Sequence, residues 1–373
     1  MINRERLVNN FIKMVGIDSV SKQEGAFRDL LKSEFGRWGF QVMEDGAGEI
    51  LQGESGNLLV KVPGTLAGDT LLLVTHMDTV VPGHNIKAVR GPDEIIRSEG
   101  QTILGADDKA GVAAILEAIE VIMENRLPHP PLELLFTVSE EQGLLGAKNF
   151  DFTNLQARKG YVLDSGGAPG TIVTQSPCQN EIEYLVKGRA AHAGINPEDG
   201  LNAIQVMAKA LAKMPCGRID EETTCNFGVI EGGMARNIVA SSCRVKGEAR
   251  SLKRSKLDQL TGQLVEIFNT EVTRNGCKAE VEISLLYPET TLLPDEDVVK
   301  LALRAAERIG LATRLISTGG GSDASVVNGH NIRCANLGIG MNAVHSTEEY
   351  IRVEDLVNDA RWVLSIIEEA IQI

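Results

Sequence analysis

No stretch of this chain strings together the roughly 20 apolar residues that a bilayer-crossing helix requires, which excludes a helical integral membrane protein. Nor is there a basic cluster, for 37 Lys and Arg stand against 51 Asp and Glu, a formal charge of −14. Such a balance repels phosphate backbones and anionic lipid, so neither nucleic acid nor a membrane surface is an expected partner. Aromatic residues make up only 4% of the chain, while 43% of it is hydrophobic. A core of Leu, Val, Ile and Ala is ordinary for a globular α/β protein, and disorder is not indicated. The cysteines, Cys178, Cys216, Cys225, Cys243, Cys277 and Cys334, show no CxxC spacing. This removes the common structural-zinc and redox motifs and leaves reduced core thiols as the expectation. HExxH, the GxSxG elbow and a phosphate loop with its Lys are missing too. The opening residues, MINRERLVNNFIKMVGI, lack the continuous apolar stretch and cleavage site of a secretory signal, so the expected compartment is the cytoplasm.

What the chain does have is an alternation of helix and strand signals over a length, 373 residues, that favours two domains. Apolar spacing predicts helices at about 3–15, 24–38 and 110–125 around the strand-like runs NLLVKV, TLLLVTH and LELLFTVS. Continued through GYVLD, this order predicts an α/β catalytic domain, a sheet with helices on its faces and ligands at the carboxyl ends of its strands. From about residue 178 the character changes. NEIEYLVKGRAAHAG reads as a strand, LNAIQVMAKALAKM as a helix, TTCNFGVIEGG and NIVASSCRVKGEARS as strands, followed by a helix over 255–274 and the strand AEVEISLLY. That order describes a small α+β unit with one open sheet face. After Pro288 a helix, the strand RLIS, a glycine-rich loop, the strand IRCANLGI and a long final helix follow. The expected organisation is a catalytic domain in two parts, 1–177 and 288–373, interrupted by an inserted α+β domain over 178–287.

Metal-binding side chains end several of the apolar runs: His76 in LLLVTHMD, Asp107 in LGADDKAG, Glu140 and Glu141 in LLFTVSEEQG, Asp164 in YVLDSGG and His345 in NAVHSTEEY. In THMDT, Asp78 falls two residues after His76 and on the same side of an extended chain, where it can accept the second ring N–H. Asp107 and Asp108 stand where a loop meets a helix, so one of them can serve only as a cap. Two adjacent glutamates at the end of a buried strand are costly unless cations neutralise them, and their diverging side chains let one ligate while the other faces water. Each residue taken singly has a bland reading as a turn former or a hydrogen-bonded loop residue. Jointly, two imidazoles and several carboxylates at strand ends are what a pair of divalent metals requires. GIGMNA has no βαβ unit behind it and TGGGSDAS has no Lys, so no nucleotide site is expected. His84, His129 and His330, with Gly or Pro neighbours and no carboxylate nearby in sequence, read as surface loop residues.

Together the runs THMDT, GADDKAG, TVSEEQGLLGAK, LDSGG, AHAGINPEDGLNAI, GGSDASVVN and NLGIGMNAVHSTEEYI resemble the M20 di-metal aminopeptidases and amidohydrolases, and within them the peptidase T-like branch. The resemblance spans nearly the whole chain. It implies a mixed central sheet flanked by helices, of the zinc-exopeptidase kind, with the inserted domain as lid and as the surface of a possible homodimer. By the same resemblance His76 and Asp164 hold one metal, Glu141 and His345 the other, and Asp107 bridges them, followed by a cis peptide bond. Asp78 orients His76, and Glu140 is the general base that moves a proton from the attacking water to the departing amine. His192 matches the family histidine that stabilises the oxyanion. Arg250 and Asn237 match residues that grip the substrate carboxylate, and Gly320, Gly321 and Asp323 border the substrate. Two divalent ions are implied, zinc first, with cobalt or manganese also suited to mixed N/O donors. The function expected is hydrolysis of a small peptide in the manner of an aminopeptidase or tripeptidase. The rival within the same chemistry is an N-acyl-amino-acid amidohydrolase. A non-catalytic metal-binding dimeric scaffold is the reading from another class, against which Glu140 argues, since a scaffold has no need of a base.

Overall fold

The runs Leu71–His76 and Leu132–Thr137 are buried at every position, the pattern of strands covered on both faces. They lie side by side in parallel, with Leu71 opposite Leu132 and His76 opposite Thr137. Lys159–Ser165 pairs in parallel with the other edge of Leu71–His76, and Arg333–Gly338 in parallel with Lys159–Ser165. These four parallel strands form the middle of a nine-stranded sheet in this computed structural model, which describes residues 1–372. Leu58–Val62 and Val42–Glu44 extend one side antiparallel, and Thr171–Ser176 flanks Arg333–Gly338 antiparallel on the other. Helices on both faces of the sheet are what the alternation predicted, and the mixed strand directions are what the family resemblance implied.

Helix Ala106–Asn125 is nearly all buried, so it reads as a core helix rather than an amphipathic one. It packs on the sheet and against the helices Arg4–Val15 and Val353–Glu369. A smaller four-stranded sheet joins Ala88–Arg90, Ile95–Ser98, Tyr350–Arg352 and Met341–Asn342. The last two pair antiparallel, with Met341 opposite Ile351, so the segment carrying His345 is the loop of a hairpin.

The chain divides into two compact units: Met1–Thr174 with Thr291–Ser317 and Ser322–Ile373, and Gln175–Thr290 with Thr318–Gly321. The second unit contains a five-stranded antiparallel sheet built from Cys178–Lys187, Gly217–Asp220, Thr223–Gly232, Ser242–Ser251 and Lys278–Tyr287. Its own core joins Tyr184, Val206, Met207, Val245, Leu264 and Phe268, from strands and from the helices Ala203–Leu211 and Arg254–Arg274. Gly217–Asp220 is a strand beyond the strand–helix–strand–strand–helix–strand order expected. All four of its residues are exposed, so the apolar patterning that marks a half-buried strand was absent.

Among the described residues no helix is long and apolar enough to cross a membrane. All six cysteines are free, and only Cys216 is exposed. His129 is not the surface residue expected. It is 3% exposed, and its Nδ1 lies 3.0 Å from the Pro130 carbonyl. His84 is exposed but does have an acidic neighbour, Asp18 Oδ2 at 3.4 Å, contributed by a segment 66 positions away in sequence. His330 is exposed and stacks on Phe152 with ring centroids 4.1 Å apart.

Candidate metal centre

The carboxyl ends of the four parallel strands gather the predicted donors of the first unit in one place. His76 is the last residue of its strand and 2% exposed. Its Nε2 lies 3.0 Å from Asp107 Oδ1 and 3.8 Å from Asp164 Oδ1. The second oxygen of Asp107 lies 3.2 Å from His345 Nε2, which is itself 3.0 Å from Glu141. Two donor groups therefore share one carboxylate: His76, Asp107 and Asp164 on one side, Asp107, Glu141 and His345 on the other, each with ligand atoms within 4.8 Å of one another. His76, Glu140 and Glu141 form a third grouping within the same limit.

Local backbone explains how each donor reaches the centre. Asp107 and Asp108 open the helix Ala106–Asn125 with non-helical dihedrals, ψ 102° at Asp107 and φ −121° at Asp108. The peptide bond between them is cis. With these dihedrals Asp107 stands outside the regular helix, while Asp108 Oδ2 accepts the His76 backbone N–H at 3.2 Å. Glu140 and Glu141 diverge by a different route from the one expected. The strand stops at Thr137, and Glu140–Gln142 form a 3-10 turn entered through Ser139 at φ 50°. Helical rotation, not strand alternation, separates the two carboxylates. Asp164 is held through its backbone, where Asn336 Oδ1 accepts its N–H at 3.0 Å and Asn336 Nδ2 donates to its carbonyl at 3.0 Å.

Asp78, fully buried, fixes three of these parts at once. Its Oδ1 accepts the Glu140 N–H at 2.9 Å, and its Oδ2 accepts the Glu141 N–H at 3.2 Å and the Ser21 hydroxyl at 2.6 Å. The nearer partner of His76 Nδ1 is the Asp78 backbone carbonyl at 2.9 Å, with the carboxylate at 3.5 Å. Spacing alone suggested the carboxylate in that role; the turn after the strand presents the carbonyl first. Such outer contacts fix the ring's tautomer and orientation.

The electrostatics suit cations. Burial, with Asp164 and other acids nearby, pushes the Glu140 carboxyl well above its usual range. Asp164 and Asp108 are also driven well up, by burial first and by neighbouring carboxylates next, and Glu141 is raised by burial. Asp107 moves the other way: burial opposes its charge, but His345 and His76 outweigh that and hold it low. Contacts with Asp107 and Glu141 lift His345 to about 10. Five buried acids around two imidazoles carry more negative charge than the protein neutralises, and a nitrogen–oxygen donor set of this kind fits divalent metal.

Several residues without an assigned role from sequence belong to this framework. Glu24 is buried and takes the Ser139 N–H at 3.0 Å. Lys109 is fully buried, donates to the Ile17 carbonyl at 2.6 Å and sits 4.9 Å from the Phe27 ring centre. Burial lowers its pKa to about 7. Glu349 accepts three backbone N–H groups around Asp107. Its place four residues after His345 was the only signal in the sequence. Asp323 is 2% exposed, and its Oδ2 accepts the Thr137 hydroxyl at 2.5 Å. It belongs to the first unit, whereas Gly320 and Gly321 belong to the second. A Cβ on Gly321 would lie 2.2 Å from the Tyr287 ring, so that position tolerates only glycine without movement.

His192, Asn237 and Arg250 lie in the second unit. His192 is exposed, and its Nδ1 accepts the Gly194 N–H at 3.1 Å, which leaves the ring proton on Nε2. The backbone of Asn237 accepts from Ala193 at 3.0 Å. Arg250 is engaged within its own unit: its guanidinium makes a two-pronged contact with Glu248 at 2.9 and 3.0 Å.

Parallel strands that gather acids and imidazoles around a shared carboxylate, in the middle of a mixed sheet, mark a hydrolase of the kind that works through bound metal. Residues 72–369 match the description of peptidase family M20/M25/M40, and the chain belongs to that family. It is 44% identical to the aminopeptidase PepT from Bacillus cereus, covering 99% of each chain with a TM-score of 0.90. It is 39% identical to a tripeptidase from Staphylococcus aureus, covering 100% of each chain with a TM-score of 0.95. Among curated proteins it is 42% identical to the uncharacterized protein YqjE of Bacillus subtilis, over 99% of this chain and all of that one. The protein is accordingly a peptide-bond hydrolase of the M20 family and of its peptidase T-like branch.

Proposed function

We propose that this enzyme removes residues from short peptides as an aminopeptidase, with tripeptides as its preferred substrates. The observation that carries the reading is Asp107, each of whose carboxylate oxygens lies close to a different imidazole, 3.0 Å from His76 and 3.2 Å from His345. In this reading Asp107 would be shared between two divalent ions, with His76 and Asp164 completing one site and Glu141 and His345 the other. Zinc is the expected ion, and cobalt or manganese are the alternatives. Such ions, when bound, polarise the scissile carbonyl and make water acidic enough to attack near neutral pH.

Glu140 takes the proton from the attacking water and returns it to the leaving amine. Burial favours its protonated form, which suits the return step, and the cations would favour its charged form before attack. Asp78 holds the N–H groups of both glutamates and thereby the angle between base and ligand. His192, whose Nε2 keeps the proton, is the donor for the developing oxyanion. Arg250 and Asn237 are assigned to the substrate carboxylate; for Arg250 this requires the Glu248 contact to yield to a substrate carboxylate. The substrate loop is assigned to Gly320, Gly321 and Asp323. We place the enzyme in the cytoplasm, whose reducing poise suits six free cysteines. A homodimer through the second unit would cover exposed apolar side chains such as Ile230, Met234 and Ile283.

Two relatives, an aminopeptidase and a tripeptidase, support the substrate class. The test is a panel of tripeptides, dipeptides and N-acetyl amino acids assayed with added zinc, cobalt or manganese. Higher kcat/KM on tripeptides with a free amino terminus is expected. Turnover confined to N-acetyl amino acids would replace this reading with an amidohydrolase.

A further inference from the structure

The non-helical segment through Asp107, which leads into the helix, is fastened from far along the chain. A cap side chain normally comes from the residue just before the helix, but Gly105 has none to offer and its φ of 76° favours glycine. The N–H groups of Leu104, Gly105 and Asp107 converge instead on one carboxylate. Leu104 and Gly105 donate to Glu349 Oε2 at 2.7 and 2.8 Å, and Asp107 donates to Glu349 Oε1 at 3.1 Å. Glu349 is 2% exposed. It closes the hairpin loop that bears His345, where a turn brings the Glu349 N–H 3.2 Å from the Ser346 carbonyl and the Ser346 hydroxyl 2.6 Å from the Ala343 carbonyl.

We propose that Glu349 is a positioning residue for the metal centre, its carboxylate tying the segment that bears Asp107 to the loop that bears His345. These two donors come from elements more than 200 positions apart in sequence, and both must meet one ion within a few tenths of an ångström. His345 is half exposed on a loop with φ of 62°, and a loop so placed does not hold an imidazole still by burial alone. Beside the contact between the two donors themselves, His345 Nε2 to Asp107 Oδ2 at 3.2 Å, the Glu349 carboxylate spans both segments, and it reaches the backbone of Asp107 itself. The proposal rests on the reading that Asp107 and His345 are ligands.

The test compares E349Q and E349D with E117Q, all as full-length protein. Glu117 sits further along the same helix, nearly buried and bonded to Arg6 at 2.7 Å, so its loss affects stability away from the centre. In E349Q the amide oxygen still accepts from Leu104 and Gly105, while the NH2 group faces the Asp107 N–H, donor against donor. In E349D the charge remains one methylene short of reach. Zinc binding is followed by equilibrium dialysis with atomic emission, and unfolding by calorimetry. The weaker of two zinc sites is expected to lose about 10- to 100-fold in affinity in whichever Glu349 variant folds. E117Q should lower Tm and leave both zinc affinities unchanged. A Glu349 variant that lowers Tm yet binds two zinc ions as tightly as wild type would reduce Glu349 to a helix cap and overturn the proposal. D107N and H345A retaining both ions would instead overturn the ligand reading.

Discussion

Single side chains here act mainly by where they hold the backbone of others. Glu140 shows this most directly, because its orientation depends on the 3-10 turn and on Asp78 accepting its N–H. Replacing it by Gln keeps that backbone contact and removes only the proton carrier. E140Q should bind two metal ions normally and lose about 10²- to 10⁴-fold in kcat, measured by steady-state kinetics alongside metal analysis; wild-type turnover would remove Glu140 as the base. Glu24 gives a pH signature. Burial, with Asp78 nearby, lifts its carboxyl to about 7, and its Oε2 has no hydrogen-bond partner among the described residues. Below about pH 4.5 both folded and unfolded chains hold this proton. Between there and pH 7 only the unfolded chain releases it, so native stability falls as pH rises through that window, by up to about 3 kcal/mol. E24Q keeps an accepting oxygen for Ser139 and cannot titrate. Its unfolding free energy should be flatter than wild type between pH 4.5 and 7.5, and equal slopes in urea titrations would contradict the assignment.

At the scale of elements, the contact between the helix Ala106–Asn125 and the sheet decides how far Asp107 projects. Gly111 sits where the two approach closely. A Cβ there would meet Asp108 Oδ1 at 2.5 Å, the Leu163 carbonyl at 2.6 Å and Thr75 Cγ2 at 2.8 Å. Two of those atoms are backbone or branched side chain and cannot swing away. Gly111→Ala should therefore lift the helix start from the strands, costing about 1–3 kcal/mol despite alanine's better helix propensity, and should weaken metal binding as well. Denaturant unfolding reads the first effect and dialysis the second; an alanine variant as stable as wild type would mean that the helix moves freely here. The spacing of GADDKAG gave no hint of this, because a glycine in a helical pattern looks like a weakness until the neighbouring strands are in place.

For the whole molecule, the centre is also a store of unfavourable charge. Burial and mutual repulsion push Asp108, Glu140, Glu141 and Asp164 all upward, and divalent ions that bind only the native state would relieve that load. Stripping the protein with a chelator should lower Tm. Zinc restored at about 100 times its dissociation constant should return about 2.7 kcal/mol per site. Calorimetry at fixed pH measures both steps, and a Tm indifferent to chelator and to zinc would argue that these acids hold no ion.

Sequence by itself determined the kind of protein this is. Apolar runs, helical spacing and the shift in character near residue 178 are local properties, and each candidate donor stands near the end of a run whose period is readable. So the α/β sheet, the second α+β unit and the candidates His76, Asp107, Glu140, Glu141, Asp164 and His345 could all be named from the chain alone. Tertiary structure decided how they are joined. Leu71–His76 lies between Leu132–Thr137 and Lys159–Ser165, an order that no local pattern contains, and it brings Asp78 to the turn of Glu140. The contact from Glu349 to Leu104 spans 245 positions. Hydrogen bonds of that reach depend on where distant segments end in space, and a carboxylate in sequence looks the same whether it faces water, a helix end or a metal.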